Sequence, residues 1–444
     1  MMTPAEFRRL KNIHILGIGG IGASALARLL RHEGKKVTGQ DSSTSSITDE
    51  LERSGIPVFI GQSIDKIPKG TELIVYSLAI PERDKVFMQK LKDLGIPLLS
   101  YPQALGAATK GKHIIAVAGT HGKTTTTAMI AEVLIHAGLD PTVVVGSVLK
   151  KHKSNFVPGK GRHVVMEADE YQRSFLNFSP RILVITNIGE DHLDYYKDIA
   201  DIRLAFNELV SRVPRGGYII TSLKDVGAHG VLAHQKGRVI DYADFFDNEI
   251  KLPVAGKHNR QNAAAAFAVA HVLGIPKEKA REALQEFSGT WRRFDYLGKT
   301  AKGALVYDDY AHNPDKVRAA IAGFREAHPK NRLIIVFQPH LYSRTKTLLP
   351  GFAEAFDGAD EVVMTPIFAA REERDTSVSS EILAERIKKH LFEKELKKPK
   401  ISFASDFNKL AVSLKRRFGR GDTLVTMGAG DIYQLADRLV SRKK

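Results

Sequence analysis

The sequence predicts an α/β protein of three domains, each built on a mostly parallel sheet covered by helices. Three observations carry that expectation. The chain has 444 residues, more than one ordinary core accommodates at roughly 100–200 residues per domain. Short apolar runs alternate with helix-like stretches along its whole length, the pattern of strands joined by crossover helices. Two glycine-rich turns, at 17–22 and 119–122, each follow an apolar run and open a helix-like one.

The first domain, residues 1–109, opens with a strand over Ile13-His14-Ile15-Leu16. Gly17-Ile18-Gly19-Gly20-Ile21-Gly22 and the helix-like run from Ala23 to Leu30 follow. This is a Rossmann-like first turn. A second strand, Val37 to Asp41, ends in an acid about 20 residues after the glycines, where a ribose hydroxyl is commonly bound. Strands at Leu73–Ser77 and Pro97–Ser100 continue the pattern, and Gly34 and Gly55 close the intervening helices.

The central domain, residues 110–288, is expected to be a P-loop ATPase-like parallel sheet. Its strands are Ile114–Ala118, His163–Glu167, Ile182–Thr186 and Tyr218–Thr221, and an alanine-rich helix from Asn262 to Leu273 closes it. The third domain, residues 289–444, repeats the alternation at Ala304–Tyr307, Leu333–Phe337, Glu361–Met364 and Thr423–Thr426, a Rossmann-like α/β domain. No sequence repeat recurs at a fixed 20–50-residue period.

Gly119-Thr120-His121-Gly122-Lys123-Thr124-Thr125 stands between a buried strand and a helix, which makes it a phosphate cradle. Glycines let backbone N–H groups converge on phosphate oxygens, and the helix N-terminus adds favourable partial charge. Lys123 can reach the terminal phosphates and Thr124 can hold Mg²⁺. Val117 stands where the usual first glycine would be, so the reading rests on this context. ATP or GTP is the expected ligand. Glu167-Ala168-Asp169-Glu170 ends one apolar strand and Asn187, Glu190 and His192 follow the next, on the edge where doubly wound sheets place ligands. Acids there can hold Mg²⁺ or serve as a helix cap.

Composition narrows the classes. With 43% hydrophobic and 26% charged residues the chain reads as an ordinary globular protein, and the absence of Cys excludes disulfides, thiolate catalysis and Cys-ligated metals. Met1 to Leu10 is too polar and short for a secretory h-region, and no run nears the roughly 18 apolar residues of a membrane span. A cytoplasmic address is expected. Much of the net charge of +16 is local, in Arg386 to Lys400 and the terminal Arg442-Lys443-Lys444, which read as solvated faces. No nucleic-acid-reading element accompanies them.

Further polar clusters complete an ordered set: His258-Asn259-Arg260-Gln261-Asn262, Arg292-Arg293-Phe294, Asp308-Asp309-Tyr310-Ala311-His312-Asn313-Pro314, Gln338-Pro339-His340 and Gly428-Ala429-Gly430-Asp431. With the two glycine turns and the acidic strand end, this set resembles the Mur ligases, ATP-dependent amide-forming enzymes of peptidoglycan precursor synthesis. The resemblance covers nearly the whole chain and is greatest to the branch that adds L-alanine to UDP-N-acetylmuramate. It implies that Gly17, Gly19, Gly20, Gly22 and Asp41, with Ser77 and His121, bind the UDP substrate, making the first domain UDP-binding. Gly119, Thr120, Gly122, Lys123, Thr124 and Thr125 would hold ATP, with Mg²⁺ near Thr124, Glu167 and His192. Lys123, Glu167 and His192 would be catalytic. Asn259 and Asn262 would face adenine, and Arg292, Asp308 and Asp309 the ribose or phosphates. Tyr310, His340 and Arg344 would meet the incoming amino acid.

Asn313 and Leu341 depart from that pattern, and Arg203 stands in a region where other branches carry a modified lysine. A monomer or weak homodimer acting on small molecules, with no nucleic-acid or membrane partner, is expected. The rival readings are a recycling ligase that adds a tripeptide, an NAD-dependent oxidoreductase using Gly17 to Gly22, and a basic nucleic-acid-binding module.

Overall fold

The structure, a computed structural model, describes residues 3–193, 195–233, 235–370 and 372–440. The chain divides into two compact units: Met1–Lys251 with Gln261–Ser288, and Leu252–Arg260 with Gly289–Lys444. Among the described residues no helix is long and apolar enough to cross a membrane.

The first unit contains two sheets. In the N-terminal one, five parallel strands run in the order Val58–Ile60, Lys36–Asp41, Asn12–Leu16, Leu73–Tyr76, Leu98–Ser100. The strand order reverses beside Asn12–Leu16, so the crevice at its carboxyl end lies at a switch point, where such sheets bind ligands. Helix Ile21–His32 starts there, and its inner face packs Ala23, Ala25, Leu26, Leu29 and Leu30 into the core.

The second sheet has seven strands in the order Arg238–Asp241, Tyr218–Thr221, Ile182–Ile185, His113–Ala118, His163–Glu167, Thr142–Leu149, Ser154–Val157. Only the last pair is antiparallel. Its middle strands are buried on both faces, which is why they read as unbroken apolar runs. Helix Tyr101–Thr109 packs against both helix Ile21–His32 and the 3-10 segment Tyr171–Asn177, and Asn155 joins the two sheets' layers. Its side-chain amide donates to Ile21 O and to Ser24 Oγ (2.9 Å) and its carbonyl accepts from Arg28.

The second unit holds six strands in the order Asp295–Lys299, Leu305–Asp309, Asp422–Met427, Arg332–Phe337, Glu361–Met364, Lys400–Phe403, parallel except at the first pair. Separate apolar clusters cover its two faces, one around Phe324, Phe337 and Phe356, the other around Leu414, Ile432 and Leu435. The α/β class read from the sequence, with its three mostly parallel sheets, is the class observed.

Candidate active site

Strand His113–Ala118 lies between His163–Glu167 and Ile182–Ile185, with Val117 opposite Glu167 and Ala118 opposite Ile185. The loops that leave these three neighbours therefore meet at one sheet edge. The first is the cradle. Gly119 (φ +134°) and Gly122 (φ +84°) adopt backbone conformations that L side chains avoid. A Cβ on Gly119 would fall inside the Thr186 hydroxyl, and one on Gly122 would lie 2.6 Å from Asn262 Oδ1. Gly122 caps helix Lys123–His136 without any side-chain bond, leaving first-turn N–H groups directed into the loop.

Lys123 is held on three sides. Its ammonium donates to Gly119 O (2.6 Å) and to both carboxylate oxygens of Glu170 (2.8 and 2.7 Å). Burial lowers its pKa, but the charges of Glu170 and Asp169 outweigh burial and hold it above the usual lysine range. The Glu170 side chain is 3% exposed. Burial pushes its carboxyl up to about 7, against the opposing charge of Lys123 and with that of Asp169. His192 Nε2 stands 3.8 Å from Glu170 Oε1.

Glu167 is fixed from two directions, accepting from Gly146 N (2.8 Å) and Thr124 Oγ1 (3.0 Å). Beside it, ligand atoms of Asp169, Glu170 and His192 lie within 4.8 Å of one another. Mg²⁺ prefers oxygen ligands and takes one or two carboxylates plus substrate phosphate. The Thr124–Glu167 pair and the Asp169–Glu170–His192 group both meet that requirement. The expected set Thr124, Glu167 and His192 is thus drawn from two adjoining groups.

The Asn187 carbonyl oxygens and amide secure the cradle's backbone: Thr120 N donates to Asn187 O, His121 N to Asn187 Oδ1, and Asn187 Nδ2 to His121 O, each at 3.0 Å. Thr120 Oγ1 exchanges bonds with Gly189, and Asn262 accepts from Thr126 (3.0 Å). Thr125 sits half-buried on the helix's first turn.

At the first sheet's switch point, Gly17 has φ +72°, and a Cβ there would lie 2.9 Å from Ser77 Cβ. Gly19 N donates to Asp41 Oδ2 (2.8 Å), so the acid closes the turn from the neighbouring strand. Gly20 caps helix Ile21–His32 without a side-chain bond, and Tyr101 covers Gly22.

In the second unit Arg292, at φ +60°, is 3% exposed. Its guanidinium donates to Asp308 Oδ2 (2.7 Å), Gly430 O (2.8 Å) and Gly428 O (2.5 Å) and lies over the Tyr310 and Tyr433 rings. Asp308 has its pKa raised to about 6 by burial, which outweighs Arg292. Asp309 accepts from Phe294 N (2.8 Å) and Ala311 N (2.9 Å). Arg292 and Asp308, expected to face the ribose or phosphates, are bonded to each other, and Arg292 also to the 428–430 turn. Tyr310, His312, His340 and Phe368 form a ladder of rings, with centroids 5.2, 6.2 and 5.7 Å apart. Arg344 Nη1 lies 3.3 Å from His340 Nδ1.

The family's matched regions follow this layout. "Mur ligase family, catalytic domain" matches residues 12–113, "Mur ligase middle domain" 117–244, and "Mur ligase, glutamate ligase domain" 292–430. A UDP-N-acetylmuramate–L-alanine ligase of Caldanaerobacter subterraneus is 38% identical over 467 residues, covering 99% of both chains. The chain belongs to the Mur ligase family. A ligase of the same name from Desulfitobacterium hafniense is 39% identical, covering 97% of this chain and 99% of its own. Among solved structures, the UDP-N-acetylmuramate-alanine ligase of Thermotoga maritima has 28% identity and a TM-score of 0.79, covering 96% and 98%. A murein peptide ligase of Psychrobacter arcticus has 25% identity and a TM-score of 0.69, covering 97% and 98%.

Within this Mur ligase, the two departures from the family pattern are packing and capping features. Asn313 caps helix Pro314–Ala327, its Oδ1 accepting from Lys316 N (2.9 Å). Leu341 is buried at φ +68° and its N–H donates to Phe368 O (3.0 Å). Asn259 anchors its own helix start, donating to Ala255 O (2.7 Å). The sequence did not single out Glu170 as the partner of Lys123 or give Gly146 any role. Glu170 stands in the acidic run at 167–170, and its signal was a third acid on the same strand exit, three residues beyond Glu167. Gly146 left only a glycine inside an apolar run.

Proposed function

We propose that this Mur ligase joins L-alanine to the carboxylate of UDP-N-acetylmuramate, forming an amide with conversion of ATP to ADP and phosphate. The observation that carries the reading is the glycine cradle with Lys123 beside the acids of the next strand, in a chain whose full-length relatives bear the L-alanine ligase name. The muramate carboxylate attacks the γ-phosphate and ADP leaves; the amine of L-alanine then attacks the carbonyl carbon of the acyl phosphate, forming the C–N bond as inorganic phosphate departs and the nitrogen sheds a proton. No covalent protein nucleophile is required.

Lys123 and the cradle N–H groups hold the phosphates and offset charge that builds on the migrating phosphoryl group, where positioning and electrostatics dominate catalysis. Glu170 keeps Lys123 charged and aimed. Mg²⁺, when bound, supplies Lewis-acid polarisation of phosphoryl oxygens, with Thr124, Glu167, Asp169, Glu170 and His192 as the residues that would hold it. Gly17 to Gly22 and Asp41, with Ser77, take the UDP substrate, and Tyr310, His340 and Arg344 take the amino acid. The assigned domains are 1–109, 110–288 and 289–444, and the enzyme works in the cytoplasm as a monomer or weak homodimer.

The recycling alternative, addition of a tripeptide, has less support: the peptide-ligase structure stands at the lower identity and TM-score. Phosphate release with ATP, Mg²⁺ and UDP-N-acetylmuramate, compared across L-alanine, glycine, L-serine and the stem tripeptide, tests the assignment. L-alanine is expected to be preferred; preference for the tripeptide would move the enzyme to recycling.

A further inference from the structure

Tyr101 is the first residue of helix Tyr101–Thr109, held there by a capping box between Ser100 and Gln103, with Pro102 at the second position. The helix is wedged. One side packs on helix Ile21–His32, and the other on Tyr171–Asn177, where a Cβ on Gly106 would run into the Asn177 carbonyl. Tyr101 therefore has little freedom to move away from where the structure puts it.

That place is the start of helix Ile21–His32. A Cβ on Gly22 would lie 2.6 Å from Tyr101 Cζ and 2.8 Å from its hydroxyl oxygen, so the phenol rests directly on the last glycine of the turn. Any residue but glycine would displace the ring. Burial raises the pKa of its hydroxyl above the usual tyrosine range, and the negative charges of Asp169 and Glu167 add to the shift. The group stays a neutral O–H donor at every working pH.

We infer that Tyr101 is a substrate-positioning residue whose hydroxyl donates a hydrogen bond to the diphosphate of the sugar nucleotide seated on the Gly17–Gly22 turn. This rests on the UDP-substrate reading of that turn. The physical logic is a spacing problem: a diphosphate at the helix N-terminus must sit close to an acidic edge that serves the second phosphate-bearing substrate. Two anionic groups separated by a neutral, fixed donor repel less than two in direct contact, and a hydrogen bond to a charged oxygen is among the stronger kind. An arginine or lysine at this place would instead be drawn to Glu167 and Asp169.

Binding to the full chain, measured by titration calorimetry without turnover, tests the inference. Tyr101→Phe keeps the ring on Gly22 and removes only the donor. Its affinities for UDP-N-acetylmuramate and for UDP are each expected to fall about tenfold, with ATP affinity within about twofold of the unmodified protein. Unchanged affinity for both uridine ligands would overturn the proposal. So would a loss confined to UDP-N-acetylmuramate, since the contact would then lie on the sugar, or an equal loss for ATP, which would mean a general disturbance. Failure of the unmodified protein to bind UDP-N-acetylmuramate would instead sink the substrate reading, and this inference with it. Tyr101→Ala, which also uncovers Gly22, should weaken uridine ligands at least as far.

Discussion

Lys123 and Glu170 form a two-oxygen ion pair at the foot of the glycine cradle, 2.8 and 2.7 Å long, with side chains 13% and 3% exposed. A pair so buried is costly to break from either side, because the survivor is left as an uncompensated charge. It also means that the lysine awaiting the phosphates is already aimed before they arrive. Lys123→Ala is expected to lower ATP-dependent phosphate release by at least about 10²-fold. Glu170→Gln should lower it less, because the amide still accepts one bond from Nζ. Steady-state kinetics on both variants checks the order.

Gly146 is expected to matter more than its place in an edge-side strand implies. Its N–H holds Glu167, and a Cβ there would lie 2.6 Å from Glu167 Oε2. Gly146→Ala should push the carboxylate off Thr124 and raise the Mg²⁺ concentration for half-maximal activity about tenfold, since groups that orient a metal ligand commonly matter to that degree. A Mg²⁺ titration of the initial rate reads this directly.

The central strands were legible because both their faces are buried: Ile114–Ala118 and Ile182–Ile185 read as unbroken apolar runs. The edges were not. Val58–Ile60 exposes Phe59 and Ile60, Lys400–Phe403 exposes Lys400, Ser402 and Phe403, and Arg238–Asp241 carries charge at both ends, so none has a pattern that separates strand from loop. Thr142–Leu149 was hidden by Gly146 and Ser147 within it, the same break that brings an N–H to Glu167. In the site, Lys123, Thr124, Glu167 and His192 could be placed from strand ends alone. The pairing of Lys123 with Glu170 could not, because it joins residues 47 apart in the chain. The ribose or phosphate role of Arg292 came from the family resemblance, and its bonds to Asp308 and to the Gly428 and Gly430 carbonyls leave no mark in the local sequence.

Arg292→Ala should destabilise the second unit by about 3 kcal/mol or more, since it strands buried Asp308 and frees the Gly428 and Gly430 carbonyls. The single tryptophan, Trp291, adjoins the site, its ring 5.7 Å from the guanidinium. Its fluorescence during urea unfolding reports the change.

His14 is fully buried in strand Asn12–Leu16, with Nδ1 2.8 Å from Thr38 Oγ1 and Nε2 3.2 Å from Gln40 Nε2. Burial lowers its pKa from 6.5 to about 4. The unfolded chain therefore takes up the proton first as pH falls. Stability from this group is complete above pH 6.5 and is lost as pH falls through about 4, a contribution of about 3 kcal/mol. Urea midpoints between pH 7 and pH 4 should fall less steeply in His14→Gln than in the unmodified protein.

The central claim is tested most directly by the product itself. UDP-N-acetylmuramate with an ¹⁸O-labelled carboxylate would be incubated with ATP, Mg²⁺ and L-alanine, and the nucleotide sugar and released phosphate analysed by mass spectrometry. The account predicts an L-alanyl amide product and ¹⁸O in the phosphate, carried there by the acyl phosphate. Phosphate release with no amide, or an amide formed while the label stays out of phosphate, would contradict it.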